Sequence, residues 1–355
     1  MYLIYNMFGT NIKMLVFDFD GVFTDGKIVF DDDKQAMKHY NAKDGMGIFN
    51  LHKNNIPVCV ISGWRNNKSQ KAILEHLKID RISLGSDSKN TILSSWCEEL
   101  DIDIKNVAYM GDDLNDLEVM SQVGFVGCPL DAVDEVKNIA SFISSKKGGE
   151  GCVREFCDYF IKIKKRENAK ISCVVPCAHM IGDEINMNTR KFETTTLLEY
   201  KLNVLEKLNL SELVLSTNDQ NIINTYKSHP FINVIKRENE LCLPSISYKK
   251  LYDDHIKQIK GDVLFHTTPI SPFLTIDSIK NLFQTWISNP DVDMVMFGKK
   301  MTNIMTKNND FISLQQLGFI CNVEVLKKFS NLSDIPNVKY IVPNELEEII
   351  VNSSA

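Results

Sequence analysis

Residues 14–26, MLVFDFDGVFTDG, decide how the first half of this chain folds. The apolar run MLVF is typical of a buried strand. It ends at two carboxylates, Asp18 and Asp20, and Gly21 and Gly26 supply tight turns just beyond them. Ligands of open α/β sheets bind beyond the carboxyl ends of strands, so the two aspartates are candidates for a functional site. An Asp-x-Asp pair alone also fits a strand end whose carboxylates are simply solvated. The longer string DFDGVFTDG is much more specific for a functional site.

Strand-like and helix-like patterns alternate on either side of this stretch. In the first half, strand-like runs follow at 58–63, 81–85, 106–112, 124–128 and 141–145, with helix-period segments between them. Such alternation predicts βαβ units and a parallel sheet with helices on both faces. Only the segment 27–40 breaks it, and its pattern of two short strands around a polar turn predicts a β-hairpin.

The second half restarts the alternation with ISCVVPC at 171–177, after the charged stretch KKRENAK at 164–170. We therefore expect an α/β protein of two domains, each a mostly parallel sheet flanked by helices. The predicted bounds are 12–163 for the first domain, 164–170 for a linker and 171–355 for the second domain. The short basic run from Lys162 to Arg166 is interpreted as a solvated helix end.

Composition excludes several classes of protein. Among the 355 residues, 44% are apolar and 24% are charged, and the net charge of -6 provides no field that attracts nucleic acid. No apolar run approaches the ~20 residues that cross a bilayer, and the first residues do not resemble a signal peptide. The nine cysteines form no CxxC pair, which favours reduced thiols. We expect a soluble cytoplasmic protein without a nucleic-acid or membrane partner.

Polar side chains follow three further strands of the first predicted sheet. Ser62 and Gly63 close VCVISG, Lys89 follows RISLG at the start of a helix, and Asp112, Asp113 and Asp116 follow NVAYMG. Together with the first aspartate pair, they bring carboxylates, a hydroxyl and an ammonium to one rim of the sheet. This set of groups suits phosphoryl transfer.

Each group has a role in that chemistry. Asp18 can attack phosphorus, and Asp20 can protonate the leaving alcohol and then activate water. Asp18 and Asp112 form an oxygen-rich site for Mg²⁺, in which we also place Asp20. Ser62, Gly63 and Lys89 are the predicted phosphate-binding groups. Asp113 and Asp116 lie behind the metal ligands in this interpretation.

These same segments resemble a known family. DFDGVFTDG, ISG, the lysine of GSDSKN, and GDDLND resemble the four motifs of haloacid dehalogenase phosphatases. KHYNAKDGMGI (38–48) and KKGGEGCVREF (146–156) look like the 3-deoxy-manno-octulosonate 8-phosphate phosphatases within that superfamily. The resemblance covers 12–163 and implies a Rossmann-like phosphatase domain. That family usually has an arginine directly after the glycine of the second motif, where this chain has Trp64 and then Arg65. Arg65 is the candidate for contacting a substrate carboxylate.

The gaps between motifs leave no room for a cap domain over the site. One hairpin and one helix lie between Asp20 and Ser62, and one helix lies between Ser62 and Lys89. In the resembling family, neighbouring subunits of a tetramer close the site. We therefore expect a homotetramer in which the hairpin makes subunit contacts and the glycine-rich loop 148–151 reaches towards an active site. An ordinary turn before the last helix is the alternative for that loop.

The second half is similar to CMP-sialate (acylneuraminate) cytidylyltransferases in three segments. They are VLSTNDQNI (214–222), IKREN (235–239) and FHTTPISPFLTIDSI (265–279), and they imply a nucleotidyltransferase-like fold. The loop expected to hold a triphosphate, 178–191, has one glycine and a single basic pair, Arg190 and Lys191. Asp291 and Asp293 precede a strand, which favours a surface turn over a metal site. We interpret this half as a divergent relative that has lost nucleotidyl transfer.

Three functions stay open at this point. The leading hypothesis is a Mg²⁺-dependent phosphatase for a 3-deoxy-ulosonic acid, either the octulosonate 8-phosphate or a sialate-type nonulosonate 9-phosphate. The second is a CMP-sialate or CMP-octulosonate synthetase in the second half, or a bifunctional enzyme. The third is a non-catalytic sugar-binding or assembly role, which the clustered acids of the first half disfavour because clustered like charges are costly to keep.

Overall fold

The computed structural model describes residues 12–32, 36–64, 68–85, 88–179, 186–208, 210–243, 245–300, 311–313 and 318–342. The chain divides into two compact units, one ending at Lys165 and the other beginning at Arg166. Both units contain strands and helices, so the predicted α/β class is confirmed. Among the described residues, no helix is both long and apolar enough to cross a bilayer.

The N-terminal unit alternates strands and helices, as its sequence predicts. Its strands are β1 Met14–Phe17, β2 Val29–Phe30, β3 Ala36–Met37, β4 Val58–Ser62, β5 Arg81–Leu84, β6 Val107–Met110, β7 Phe125–Cys128 and β8 Phe142–Ile143. Its helices are α1 Ala42–Lys53, α2 Lys68–His76, α3 Lys89–Leu100, α4 Leu117–Met120, α5 Asp134–Ile139 and α6 Cys152–Glu167.

Six of these strands form one parallel sheet in the order β5-β4-β1-β6-β7-β8. β1 is central, and the chain continues from it first to one side and then to the other. The strand order therefore reverses between β1 and β6, which pair from Met14↔Val107 to Phe17↔Met110. Crevices at such a reversal are where ligands of open α/β sheets bind.

Both faces of this sheet are covered, which explains why its strands read as continuous apolar runs. All four residues of β1 are buried. On one face Met14 and Val16 join a cluster with Leu93 of α3. On the other face the Phe17 ring meets the Phe156 ring of α6 edge-on, with centroids 5.8 Å apart.

The predicted hairpin is present, and it lies outside the main sheet. β2 and β3 pair antiparallel, with Val29 opposite Met37 and Phe30 opposite Ala36. The glycine-rich loop 148–151 packs on the loop after β1. Gly149 N donates to Val22 O at 3.0 Å, and a Cβ at Gly148 would lie 2.0 Å from the Gly21 carbonyl oxygen. Within one subunit, this loop therefore supports the backbone directly beyond Asp18.

The C-terminal unit contains the remaining elements. Its strands are β9 Ile171–Pro176, β10 Lys191–Phe192, β11 Thr195–Thr196, β12 Glu212–Thr217, β13 Ile232–Lys236, β14 Val263–His266, β15 Met294–Lys300, β16 Phe311–Ser313, β17 Phe319–Asn322 and β18 Val338–Ile341. Its helices are α7 Leu197–Leu205, α8 Gln220–Tyr226, α9 Tyr248–Gln258, α10 Ile276–Ser288 and α11 Val323–Lys328.

The large sheet of this unit has the order β13-β12-β9-β14-β17-β15-β16, with β18 paired to β15. The four strands from β13 to β14 are mutually parallel. β17 runs antiparallel to both β14 and β15, so the sheet is mixed beyond β14. Its core includes Trp286 of α10, which is fully buried.

Helix α6 extends through Glu167, so the segment predicted as a linker begins inside a helix. The interpretation of its basic run as simply solvated does not hold for Arg166. The guanidinium lies over the Trp286 ring, 4.5 Å from the centroid, and donates to the carbonyls of Asn289 at 2.8 Å and Val292 at 2.6 Å. The Arg166 side chain therefore binds one aromatic ring and two backbone carbonyls, and these contacts fix the start of the C-terminal unit. All nine cysteines are free and buried, in agreement with the prediction of reduced thiols.

Candidate active site

Two aspartates meet where the strand order reverses. Asp18 directly follows β1, and its backbone N–H donates to Met110 O of β6 at 2.9 Å. Asp112 follows two residues after the end of β6. Asp18, Asp112 and Asp116 each offer a carboxylate oxygen, and these oxygens lie within 4.8 Å of one another. The topology of the sheet thus produces an acidic cluster around the predicted nucleophile.

Gly21 allows this close approach. Its φ is +76°, and a Cβ built there would lie 1.9 Å from Oδ2 of Asp112. The carboxylate of Asp112 therefore lies directly against the backbone of the loop after β1. A side chain at position 21 would have to displace it.

Asp116 holds the parts of the site together. Its Oδ1 accepts from Lys89 Nζ at 2.6 Å and from the Tyr109 hydroxyl at 2.8 Å. Its Oδ2 accepts the backbone N–H of Asp112 at 3.2 Å and of Asp113 at 3.4 Å. Both oxygens of this fully buried carboxylate are engaged by the protein, which suits an organising role better than metal binding.

Lys89 is the first residue of α3, whose N-cap is Ser88. Its buried ammonium lies 3.1 Å from Asp18 Oδ1 as well as 2.6 Å from Asp116 Oδ1. Burial alone would lower the pKa of Lys89, but the two carboxylates outweigh burial and raise it. The lysine therefore stays charged beside Asp18, as its predicted role in binding phosphate requires.

The charges of the site leave an excess of negative charge. Burial, and then Asp116, raise the pKa of Asp18 against the opposing effect of Lys89. Burial, followed by Asp116 and Asp113, raises the pKa of Asp112 to about 7. One ammonium among three carboxylates does not neutralise them. Hard oxygen donors with uncompensated charge fit a divalent cation such as Mg²⁺, held by Asp18 and Asp112.

The second predicted phosphate-binding segment lies at the same edge of the sheet. Ser62 is the last residue of β4, the neighbour of β1, and its side chain is buried. Its Oγ accepts the backbone N–H of Trp64 at 3.3 Å, which shapes the turn through the exposed Gly63. Arg65 lies outside the described residues.

Asp113 is exposed and caps the short helical turn that follows β6. Its side chain accepts from the backbone N–H of Leu114 at 2.7 Å, and it forms a reciprocal capping pair with Asp116. This fixes the loop that presents Asp112.

Asp20 has a partner that the sequence analysis did not identify. Its carboxylate forms an ion pair with Lys38, directly after β3 of the hairpin. The Lys38 ammonium also lies 4.7 Å from the centre of the Trp64 ring and 5.6 Å from that of Phe19. The motif KHYNAKDGMGI begins with this lysine, yet the prediction used the motif only to recognise the family. The sequence pattern of two short strands does not indicate that the lysine directly after them is buried against another loop.

In the described part of the C-terminal unit, the candidate residues do not form a cluster of this kind. Arg190 ends a short helical turn and Lys191 begins β10, while residues 180–185 of the predicted triphosphate loop lie outside the described residues. Asp291 and Asp293 lie in the turn before β15, as predicted for a surface turn.

Comparisons with known proteins match the N-terminal unit. A family model described as haloacid dehalogenase-like hydrolase matches residues 27–156. The 3-deoxy-D-manno-octulosonate 8-phosphate phosphatase KdsC of Salmonella typhi is 36% identical over 151 residues, which is 42% of this chain and 80% of that protein. The protein of the same name from Escherichia coli (strain K12) gives the same identity and coverage, 36% over 151 residues.

Solved structures of phosphatases with that name also match. The one from Yersinia pestis is 34% identical, with 44% of this chain and 84% of that chain covered and a TM-score of 0.42. The one from Moraxella catarrhalis, in complex with a magnesium ion, a phosphate ion and KDO, is 29% identical, with 47% and 92% covered and a TM-score of 0.42.

Proposed function

Because the chain belongs to the haloacid dehalogenase-like hydrolases and is a phosphoric monoester hydrolase, we propose that its N-terminal unit dephosphorylates a phosphorylated 3-deoxy-ulosonic acid with the aid of Mg²⁺. Octulosonate 8-phosphate is the first candidate, since relatives that are 36% identical are named for it. A sialate-type nonulosonate 9-phosphate is the alternative, supported by the resemblance of the second half to CMP-sialate cytidylyltransferases. One observation carries the proposal: Asp18 lies beside both Lys89 and the carboxylate of Asp112 at the point of strand reversal.

The reaction proceeds in two displacements on phosphorus. A carboxylate oxygen of Asp18 forms a bond to phosphorus while the bond to the sugar oxygen breaks, which gives an aspartyl phosphate. Asp20 enters this step in its protonated form, and its carboxyl group donates the proton to the departing sugar oxygen. It then accepts a proton from the water that attacks the aspartyl phosphate, so inorganic phosphate and free Asp18 result.

Binding of the phosphoryl group relies on the neighbouring strand ends. The Lys89 ammonium, the Ser62 hydroxyl and the backbone N–H of Gly63 are the groups that we assign to its oxygens. Asp116 keeps Lys89 in place through their 2.6 Å contact, and the Tyr109 hydroxyl holds Asp116 in turn. This support is buried, so the position of Lys89 is set before substrate arrives.

Asp18 and Asp112 are the proposed Mg²⁺ ligands. The bound ion supplies positive charge that offsets the charge on the transferring phosphoryl group. Asp20 was predicted as a third ligand. Its carboxylate pairs with Lys38 instead. We therefore omit Asp20 from the metal ligands and assign its carboxyl group to proton transfer.

Substitution of the nucleophile tests the proposal. Asp18→Asn removes the attacking oxygen, so phosphate release in the presence of Mg²⁺ should fall by at least about 10³-fold. Asp25→Asn is the matched control, because Asp25 lies in the same loop with its side chain 49% exposed and pairs with the exposed Lys27. That control should keep activity within about twofold. Turnover by Asp18→Asn equal to that of the wild type would remove the basis of the proposal.

The substrate is decided by a parallel assay of the two sugar phosphates with Mg²⁺. We expect kcat/KM to be at least about tenfold higher for one ulosonate phosphate than for simple hexose phosphates, because a pocket that binds a carboxylate discriminates against ligands that lack it. Equal values across the panel would contradict the assignment to 3-deoxy-ulosonic acids.

For the C-terminal unit we propose a sugar-binding, dimerising or scaffolding role. Its predicted triphosphate loop has few cations, and no acidic metal cluster is found among the described residues of this unit. Pyrophosphate release from CTP with a sialic or octulosonic acid would instead establish the alternative, a synthetase or bifunctional enzyme. The nine buried free thiols support our proposal of a cytoplasmic location.

A further inference from the structure

Lys38 lies close to the site, and its side chain is shut off from solvent. Only 1% of that side chain is exposed, whereas its partner Asp20 keeps 34% of its side chain exposed. A substrate can therefore reach the carboxylate but not the ammonium behind it. Any effect of Lys38 on the reaction has to pass through Asp20.

The surroundings of the ammonium explain how a buried cation is tolerated there. Asp20 provides the counter-charge, and the faces of Trp64 and Phe19 lie 4.7 and 5.6 Å from Nζ. Both contacts stabilise a desolvated cation. The backbone is fixed as well, since Lys38 N donates to Ser69 Oγ at 2.8 Å. The lysine is therefore held by a loop, a helix and the hairpin at once.

We propose that Lys38 is the positioning residue for Asp20, and that the hairpin functions in the reaction by delivering it. This inference rests on the proposed function, in which Asp20 transfers protons. Without the ion pair, the partly exposed carboxylate of Asp20 is free to rotate into solvent. With the pair, one oxygen is held and the other is left for the leaving group.

This role predicts a dependence on the leaving group. A sugar alkoxide needs a proton as it departs, whereas p-nitrophenolate departs without one. Disturbing Asp20 should therefore slow the cleavage of a sugar phosphate far more than that of p-nitrophenyl phosphate. The parameter kcat/KM is the one to compare, because it covers the steps up to departure of the leaving group and excludes hydrolysis of the aspartyl phosphate.

The test uses Lys38→Met and Lys38→Arg in the full chain. For Lys38→Met we expect kcat/KM to fall by about 100-fold on the sugar phosphate and by less than about fivefold on p-nitrophenyl phosphate. Lys38→Arg, which keeps the charge, should recover a large part of the loss. Lys27→Met is the matched control on the exposed side of the same segment, where the side chain is 80% exposed, and it should behave as wild type on both substrates.

The outcomes are separable. If the wild-type protein releases no phosphate from either compound, the proposed function fails. If the wild type is active but Lys38→Met loses equal activity on both compounds, or none, then Lys38 does not act through Asp20 and this inference is wrong. Thermal unfolding of each variant shows whether an equal loss on both compounds comes from a damaged fold.

Discussion

At the scale of single residues, substitution of Gly21 and of Gly26 tests how closely Asp112 has to approach the loop after β1. Both have left-handed backbone, with φ of +76° and +74°. A Cβ at Gly21 would meet the Asp112 carboxylate at 1.9 Å, while a Cβ at Gly26 would meet only Gly21 Cα, at 3.9 Å. Substitution at either glycine therefore carries a similar cost in backbone strain, but only a side chain at position 21 collides with Asp112.

Replacement of each glycine by alanine should separate these effects. Each variant should lose about 1 kcal/mol of unfolding free energy through its strained φ. Gly21→Ala should in addition raise the Mg²⁺ concentration for half-maximal activity by at least about tenfold, because Asp112 is displaced. Denaturant unfolding and a Mg²⁺ titration of activity measure the two quantities. An unchanged Mg²⁺ requirement in Gly21→Ala would show that Asp112 is not a ligand.

The proximity of Asp18, Lys89 and Asp112 could be predicted from the sequence, because position along a parallel sheet determines where a side chain lies. Asp18, Lys89 and Asp112 follow three different strands, yet the carboxyl ends of those strands form one edge. Lys38 and Tyr109 could not be found this way. Tyr109 lies inside a strand, where an aromatic residue is ordinarily core, and its bond to Asp116 depends on the turn that follows. The burial of Lys38 depends on side chains from two distant loops.

At the scale of elements, a carboxylate of one helix binds the first turn of another. Asp44 of α1 is fully buried, and its Oδ1 accepts the backbone N–H of Arg154 in α6 at 2.8 Å. This contact places a negative charge at the N-terminus of α6, where the helix dipole favours it. The other oxygen, Oδ2, has no hydrogen-bond partner in the described structure. Burial raises the pKa of Asp44 to about 6.

The raised pKa predicts how stability depends on pH. The folded protein binds this proton more tightly than the unfolded chain, whose ordinary value is 3.8. The stabilisation from the protonated carboxyl is therefore complete below the ordinary value and is lost as the pH rises through about 6. Asp44→Asn retains an oxygen acceptor and cannot ionise. Relative to wild type, it should be more stable at high than at low pH by an amount on the order of 2 kcal/mol.

The measurement is the unfolding free energy of both proteins at pH 4 and pH 8. The difference between the proteins isolates Asp44 from the other groups that titrate in this range. Asp158→Asn is the control, because Asp158 pairs with the same Arg154 from a side chain that is 41% exposed, and its effect should stay below about 1 kcal/mol. A difference for Asp44→Asn that is constant with pH would contradict the expected titration.

At the scale of the whole molecule, the sequence predicted two α/β units but not the details of the second sheet. The parallel strands β12, β9 and β14 lie at apolar runs that alternate with helices, which is the signal for βαβ units. β17, with the sequence FICN, runs antiparallel between β14 and β15. A short buried run reads the same in either direction, so its orientation follows only from the path of the chain.

The largest-scale prediction concerns assembly through the hairpin. Ile28, Val29, Phe30 and Met37 are 42%, 51%, 60% and 41% exposed, and a cluster of exposed apolar side chains marks an interaction surface. The candidate active site also lacks a cap domain, so we expect another surface to close it. We therefore propose that the hairpin packs against neighbouring subunits in a homotetramer, and that this contact helps to close each active site.

Charges on the hairpin should dissociate this assembly. In the double variant Val29→Glu, Phe30→Glu, the mass from light scattering should fall below that of a tetramer, because two desolvated carboxylates oppose the contact. The kcat/KM for the sugar phosphate should fall with it, by at least about tenfold, since an open site admits water and loses the neighbour's contacts. Phe231→Glu is the control, because this residue of the C-terminal unit is 74% exposed and lies outside the hairpin. It should leave both mass and activity unchanged. A wild-type protein that is monomeric and fully active would show that the hairpin has another purpose and that one subunit suffices to complete the site.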